Sequence, residues 1–508
     1  MLYLNNTNSL ILSEKLGFTH KFSPTRIIRF LEIGFLIFVR TYYARCGLFL
    51  RIVNQENNMK KTILAAALLG AMAFTSQAAN VDVYGTVDAG FQYKHVKTNL
   101  ESFECPVNPK ENSFKLANGL DGANKIGIKG EEDIGNAKIG FKLENQFTLT
   151  DGEFKDSKKL FSREARLYVR NEFGEISAGR MGGLASAAGS YDIFFGEADA
   201  FDGGDNAIPF GFVTSDRYDN SLVYQTPRIS GVQGTLMYSF NKAGAQEDKM
   251  KDNDRYIGAG LTFKQDALSL VGVYEGQIRN KNDKSDVYKN GHAFSLGGNY
   301  DFGVAKVFAG AQLARHVDYG DVNRALNLKS ALNNVVDHGI DYLKDCEKNF
   351  NKPGTGGKTA YENIINTLND EIAKENKDRA DDLKLPTFQN IDQFDKALRK
   401  HVDKLDDLFN KAQVNGFAFT IGAQVPMDHS KVTAAAYYGH YKQAFDLFEE
   451  GGKVKSNTYG LAARYEHFVS NRTTLYTGAG IGRTKLKNDE VHTKTNVGQI
   501  YLGLRHNF

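Results

Sequence analysis

Tryptophan is absent from this sequence, proline occurs only eight times and cysteine only three times. Proline removes ladder hydrogen bonds, so its scarcity is compatible with many β-strands. The three cysteines, Cys46, Cys105 and Cys346, do not have the spacing of zinc ligands. A fold that depends on disulfide bridges or structural metal is therefore not indicated.

The chain also lacks a large excess of positive or negative charge, and it lacks catalytic motifs. The formal net charge is only +3, which argues against nucleic acid as a partner. The chain has no G-x-S-x-G or H-E-x-x-H motif, and its histidines are scattered. The sequence therefore indicates no enzyme, no cofactor and no metal site.

Glycine, tyrosine and phenylalanine are abundant, with 50, 24 and 35 residues. This composition favours strands. The mean hydropathy of −0.41 is that of a soluble protein. A membrane barrel with a wet lumen gives the same value, since only every second strand residue faces lipid.

A leader is expected at 59–79, "MKKTILAAALLGAMAFTSQAA". It has two lysines, a short apolar core and small residues for cleavage, which is typical of a signal peptide. Residues 1–58 precede it, and their apolar run is broken by Glu32. We interpret 1–58 as an upstream extension from a misplaced start codon. The alternative is an additional anchor or targeting segment.

Apolar and polar residues alternate along the mature chain, 80–508. In "SREARLYVRN", for example, Ala165, Leu167 and Val169 alternate with charged or polar neighbours. Such alternation predicts half-buried strands. About sixteen can be placed, and the connections between them are short after even-numbered strands and long after odd-numbered ones. This rhythm favours a transmembrane antiparallel β-barrel, an all-β fold, over a soluble sandwich.

The chain ends in "NVGQIYLGLRHNF", which keeps the alternation up to its last residue. Lipid offers backbone groups no hydrogen-bond partners, so the sheet must close on itself. We therefore expect the last strand to pair with the first. Leu502 and Leu504 would face lipid, and Phe508 would lie in an aromatic girdle.

The stretches "YGTVDAGF", "KIGIKGEEDIGN", "GEISAGR", "RYDNSLVYQTP" and "YLGLRHNF" occur in this order, and together they resemble the general diffusion porins of Gram-negative outer membranes. The resemblance implies a homotrimer embedded in outer-membrane lipid, each subunit forming a water-filled channel for ions and small hydrophilic solutes. It also implies that the barrel assembly machinery reads the terminal strand, where Leu502, Leu504 and Phe508 would be the signal.

The third long connection, 182–216, is the constriction loop in this family. It carries the acidic residues Glu197, Asp199, Asp202 and Asp205. Basic residues are expected on the opposite wall: Arg166, Arg170, Arg180, Arg217, Lys125 and Lys142. Together these charges would set up a field across the pore. Alternatively, the loop is a solvated surface and the arginines pair with neighbouring carboxylates.

A large insertion occupies 319–413 and has helical periodicity in three stretches, the last around Phe394, Leu398 and Val402. We expect amphipathic helices on the outer rim. Shielding of the channel mouth, a lid and an adhesin or receptor role remain open. Cys105 and Cys346 would both face outward by topology and could form a disulfide.

Overall fold

The computed structural model describes residues 2–4, 10–12, 80–100, 110–205, 208–280, 289–318, 390–410, 413–443, 454–487 and 492–508, with seven further residues between 344 and 374. The expected leader, both cysteines of the proposed disulfide and most of 1–58 lie outside these residues. In the described part of 1–58, two short strands, Leu2–Leu4 and Leu10–Leu12, pair antiparallel.

Seventeen strand segments form one closed antiparallel barrel. They are β1 (Asn80–Leu100), β2 (Lys110–Asn118), β3 (Lys125–Asp133), β4 (Lys138–Gln146), β5 (Glu164–Asn171), β6 (Gly174–Gly182), β7 (Arg217–Gln225), β8 (Val232–Ser239), β9 (Arg255–Gln265), β10 (Leu268–Ile278), β11 (Gly291–Asp301), β12 (Lys306–Asp318), β13 (Gln413–Met427), β14 (Ser430–Gln443), β15 (Lys455–Phe468), β16 (Thr473–Lys487) and β17 (His492–Asn507).

Segments β2 and β3 occupy one strand position, which gives the barrel sixteen positions. Both run antiparallel to β1: β2 pairs with 89–97 and β3 with 80–86. At the interruption, the Asp88 carboxylate accepts the backbone N–H groups of Asp121 and Gly122 at 3.0 and 2.5 Å. The Asn124 side chain donates to the Asp88 carbonyl at 3.0 Å. Side chains thus replace the missing ladder bonds where the strand breaks.

The predicted alternation is confirmed. Large apolar side chains point outward and are exposed, as with Leu296 at 70%, Leu167 at 59% and Ile500 at 57%. Their strand neighbours, such as Ser295 and Glu164, point inward and are buried. An apolar outside and a polar inside are the arrangement that a barrel needs to cross a bilayer.

Closure by the last strand is also confirmed. β17 pairs with β1 from Thr493–Leu100 down to Asn507–Thr86. Phe508 continues the ladder by exchanging two backbone hydrogen bonds with Gly85, at 3.0 and 3.1 Å. A Cβ on Gly85 would meet the Phe508 ring at 2.4 Å, so the terminal aromatic ring covers this glycine.

The connections differ between the two ends of the barrel. At one end all seven have two to six residues, whereas the other end carries the longer ones, including 183–216 and 319–412. The strict rhythm expected from the sequence is wrong at the last hairpin. Its connection, 488–491, is no longer than some turns at the opposite end.

Helices are few in the described chain. α1 (Phe195–Ala198) lies in the third long connection, a 3₁₀ turn covers Met250–Asp252, and α2 (Ile391–Asn410) belongs to the insertion. α2 confirms the third predicted helical stretch, while most of the other two lies outside the described residues. No helix among the described residues has the length and apolar character that a membrane span requires.

We predict that Leu461→Arg, on the outward face of β15, lowers the free energy of unfolding by about 2–4 kcal/mol, because it places a cation at mid-bilayer depth. Leu461 is 52% exposed on this face. Urea unfolding in lipid vesicles measures the effect. Leu461→Ala is the control and should cost much less; equal costs would contradict a lipid-facing position.

Candidate functional site

The connection 183–216 folds inward and is held to the barrel wall by hydrogen bonds. Gln312 on β12 accepts from the backbone N–H of Val213 at 2.8 Å and donates to its carbonyl at 2.9 Å. Gln424 donates to the Ala200 carbonyl at 2.6 Å, and Asn299 donates to the Glu197 carbonyl at 2.8 Å. Inward side chains of the wall therefore satisfy backbone groups that a loop leaves unpaired.

Apolar packing reinforces this attachment. Phe194, Phe195, Phe210 and Phe212 form a cluster within the loop, with ring centroids 4.9 to 6.1 Å apart. Phe210 also packs against Tyr437 of β14 at 5.1 Å. Burial of these rings fixes the conformation of the loop as well as its position.

Inward-facing glycines make room for the loop. A Cβ on Gly439 would lie 2.4 Å from the carbonyl oxygen of Gly211, whose own φ is +84°. A Cβ on Gly482 would meet the Pro209 ring at 2.2 Å, and one on Gly260 would meet Ile193 at 2.3 Å. Only glycine allows the wall and the loop to approach this closely.

The four acidic residues predicted for the loop are not equivalent. Asp199 is buried and accepts from the N–H groups of Gly203 and Gly204 at 2.9 and 2.8 Å. Asp205 is buried between Gln499 and Tyr501, and Glu197 forms an ion pair with Lys264. Asp202 is the exposed residue among the four.

Burial changes the charge state of the loop acids, which lie outside the membrane-spanning strands. It raises the pKa of the Asp205 carboxyl to about 6 and also raises the pKa of Asp199. A raised carboxyl pKa means that the neutral form is favoured as the pH falls. The loop therefore carries less negative charge near pH 6 than its acidic residues suggest.

The basic residues of β3–β5 form ion pairs rather than a continuous positive wall. Lys125 and Arg163 approach Glu144 at 3.6 and 2.5 Å. Lys142 lies 2.7 Å from Glu164 and donates to Ser190 of the loop at 3.1 Å. The alternative interpretation from the sequence, in which arginines pair with carboxylates on neighbouring strands, therefore applies to much of this region.

Arg166 connects the wall to the loop. It lies 3.0 Å from Glu164 and 2.8 Å from Glu175, and it donates to the Tyr191 hydroxyl at 2.9 Å. Its guanidinium also lies over the Tyr168 ring, 4.5 Å from the centroid. The arginine is thereby held in one orientation at the base of the loop.

The other three predicted arginines make their closest contacts outside this cluster, although Arg170 also lies 4.0 Å from Glu175. Arg170 pairs with Glu131 close to the short turn 134–137, so the structure does not bring it to the loop. Arg180 pairs with Asp219 at 2.6 Å and donates to the Arg217 carbonyl at 3.1 Å. The Arg217 Nε atom is buried and has no hydrogen-bond partner within the described ranges.

Sequence reasoning missed the carboxylates of this wall and a second ionic cluster. Glu144, Glu164 and Glu175 were not assigned to the site, although all three have the inward parity of their strands. Across the lumen, Arg464 pairs with Asp121 at 2.8 Å and with Glu466 at 3.6 Å. Arg464 also lies over Phe201 of the loop at 4.9 Å. The signal available in the sequence was that these residues occupy inward positions of their strands. That signal does not show which charged residues pair with each other.

Within the described ranges, no cluster of three or more His, Cys, Asp or Glu side chains could hold a metal ion. The arrangement is instead a polar interior, partly filled by a loop, with paired charges on both sides.

Comparison with known proteins adds independent information. A family model described as Gram-negative porin matches residues 65–489. An outer membrane porin protein of Bordetella pertussis is 31% identical over 272 residues, covering 49% of this chain and 68% of the relative. Outer membrane porin protein 32 of Delftia acidovorans is 26% identical over 259 residues, with the same coverage. An anion-selective porin from Comamonas acidovorans is similar in structure, with a TM-score of 0.47, 17% identity, and coverage of 85% of this chain and all of that one.

We predict that Gln312→Leu loosens the loop, because it leaves the Val213 N–H and carbonyl groups without partners. The free energy of unfolding should fall by about 1–3 kcal/mol, the cost of unsatisfied buried groups. Single-channel current noise should rise at the same time. Gln233→Leu removes a glutamine that bonds Arg228 at 2.9 Å, away from the loop, and should leave the noise unchanged. Equal noise in both variants would contradict the anchoring role.

Proposed function

The chain belongs to the Gram-negative porin family, and from this premise we propose that this outer-membrane porin conducts ions and small hydrophilic solutes by passive diffusion through a lumen narrowed by loop 183–216. The observation that carries the proposal is the attachment of the loop to the inner wall. Hydrogen bonds from inward glutamines and an asparagine, together with glycine contacts, hold it inside the barrel. A loop held there reduces the open cross-section.

The charges support a field across the constriction. One wall of the lumen, formed by β3–β5, carries the basic residues Lys125, Lys142 and Arg166, and Arg163 directly precedes β5. The acidic part of the loop lies against the strands on the far side. Such a field orients dipolar solutes and disfavours apolar ones, whose entry would displace oriented water. The interleaved carboxylates Glu144, Glu164 and Glu175 reduce the net charge of the wall but leave strong local dipoles.

We also propose a homotrimer. The β1–β2 hairpin presents a flat apolar surface, on which the Phe91 and Phe114 rings stack with centroids 5.8 Å apart and an interplanar angle of 1°. Phe114 is 72% exposed and Leu116 51%. An apolar surface of this kind suits a contact between subunits.

Export and assembly complete the proposal. The leader 59–79 would direct the chain to the periplasm and be removed there. The closing strand, with Leu502, Leu504 and Phe508, would be read by the barrel assembly machinery. The family model and the relatives are porins, and nothing in these comparisons favours the alternative of an adhesin or receptor role.

The first test is conductance in planar lipid bilayers. We expect steady ohmic current that appears in steps of three equal units, since each subunit of a trimer has its own pore. Isolated single steps would contradict the trimer, and absence of current from correctly folded barrel would contradict the channel. Heat-modifiable electrophoretic mobility serves as the control for folding.

The second test concerns the exposed acid of the loop. Asp202→Lys should move the reversal potential in a salt gradient towards that of chloride, with about a twofold or larger change in the permeability ratio, because the substitution reverses a charge beside the ion path. Asp428→Lys makes the same change in the turn 428–429, where the side chain is 93% exposed. It should have little effect. Equal shifts in the two variants would argue against a constriction at the loop.

A further inference from the structure

The short segment 119–124, which interrupts one strand position between β2 and β3, lies inside the barrel. Leu120 is 4% exposed and packs with the inward rings of Tyr476 on β16 and Tyr501 on β17. A Cβ on Gly503 would lie 2.2 Å from the Tyr476 hydroxyl oxygen, so only glycine lets this ring lie flat against the wall. The flat ring leaves room for Leu120 on its lumen side. We call residues 119–124 the inner segment.

The contacts of Asp121 show how far the inner segment extends into the lumen. The Asp121 side chain is 2% exposed and lies 2.8 Å from Arg464 on β15, and it also pairs with Arg505 on β17. β15 is four strand positions away from the break between β2 and β3. At about 4.8 Å per strand, this separation is about 19 Å along the wall. An aspartate and an arginine side chain together do not cover it, so the backbone of the inner segment leaves the wall and crosses part of the lumen.

The inner segment and the loop 183–216 occupy neighbouring levels of the same wall. Asp205 of the loop accepts a hydrogen bond from Gln499 of β17 at 2.6 Å. Asp121 pairs with Arg505, which lies further along β17 towards the short turns. The loop therefore forms the upper level, nearer the long connections, and the inner segment forms the lower level.

Arg464 lies between the two levels and contacts both. Its guanidinium lies over the Phe201 ring of the loop, 4.9 Å from the centroid, and it pairs with Asp121 of the inner segment. Glu466 on the same strand is a further partner at 3.6 Å. The Arg464 side chain is only 9% exposed, and loss of a partner would leave a buried charge uncompensated. The position of the loop is therefore tied to that of the inner segment through this arginine.

We propose that the inner segment is a second constricting element of the lumen, and that Arg464 is a positioning residue that couples it to the loop 183–216. This inference rests on the proposed channel function and adds a determinant of the size of its solutes. A solute that passes the loop would next pass the inner segment, so the narrow part of the channel extends further towards the short turns than the loop alone. Both elements then contribute to the size limit, because the width of a pore decides which neutral solutes pass.

The test measures the entry of neutral sugars of increasing size into liposomes that contain the protein, because neutral solutes respond to the width of a channel more than to its charge. The first variant, Leu120→Ala with Asp121→Asn, releases the inner segment from the wall. The control, Leu149→Ala with Asp151→Asn, changes the same residue types in the connection 147–163, where both side chains are exposed. Heat-modifiable electrophoretic mobility verifies that each variant is folded.

We expect the first variant to admit the larger sugars at least about twofold faster, relative to the smallest sugar, than the unmodified protein does, because a wider lumen favours large solutes most. The control should match the unmodified protein. Equal size limits in the folded first variant and the unmodified protein would overturn the second constriction while leaving the channel intact. No entry of any sugar through the folded, unmodified protein would contradict the channel itself and overturn this inference with it, so the two failures are distinguishable.

The role of Arg464 is tested in the same assay. Arg464→Gln should widen the size limit as the first variant does, since it removes the cation that holds Asp121, whereas Arg464→Lys keeps a cation and should retain most of the limit. Combining Arg464→Gln with Asp121→Asn should add nothing to the effect of either substitution alone, because both break the same contact. Fully additive effects, or reduced stability of Arg464→Gln with an unchanged size limit, would overturn the positioning role.

Discussion

Every backbone hydrogen-bonding group within the bilayer needs a protein partner, and the architecture of this chain depends on that requirement. Water is absent there, and an unpaired N–H or C=O group costs several kcal/mol. Pairing of β17 with β1 removes the two sheet edges that would otherwise carry such groups. Where β2 and β3 interrupt a strand, Asp88 and Asn124 supply the bonds instead. The closed ladder and these side chains both provide hydrogen-bond partners for backbone groups that would otherwise be unpaired.

The same requirement governs the loop inside the barrel, although lumen water relaxes it. In the described part of segment 183–216 one short helix is present, and backbone groups outside it need other partners. Gln312, Gln424 and Asn299 provide partners from the wall. Glycines such as Gly439 let the backbone come close enough for such contacts. The loop position is therefore encoded largely in the strands it touches and only partly in its own sequence.

Much of the barrel could be predicted because side-chain alternation has a fixed period of two. Once Leu167 and Ile500 are placed outward, the facing of their strand neighbours follows. The β2 segment is difficult to predict because "KENSFKLAN" carries charged and polar residues on both faces and pairs with only half of β1. The short length of connection 488–491 was not predicted, because the sequence does not show how far β16 and β17 remain paired beyond the membrane.

The candidate site could be predicted less completely, for a physical reason. A sequence gives the charges of Asp199, Asp205 and Arg170 but not what each side chain reaches. Asp199 and Asp205 turn towards the wall, where they are buried, and Arg170 pairs near the short turn. Glu144 and Glu164 were overlooked because a pairing across strands depends on register, which alternation alone does not fix.

Pairing of the wall charges has a consequence for permeation. Paired groups a few ångströms apart act as dipoles, and their field falls off more steeply with distance than that of single charges. Solutes close to the wall would then be oriented, while ions at the centre of the lumen would respond mainly to groups that lack a counter-charge. Asp202 is the exposed acid of the loop. A charge at such a position acts over a longer distance than the paired carboxylates Glu144 and Glu164 of the wall, because no neighbouring cation in the described chain cancels its field.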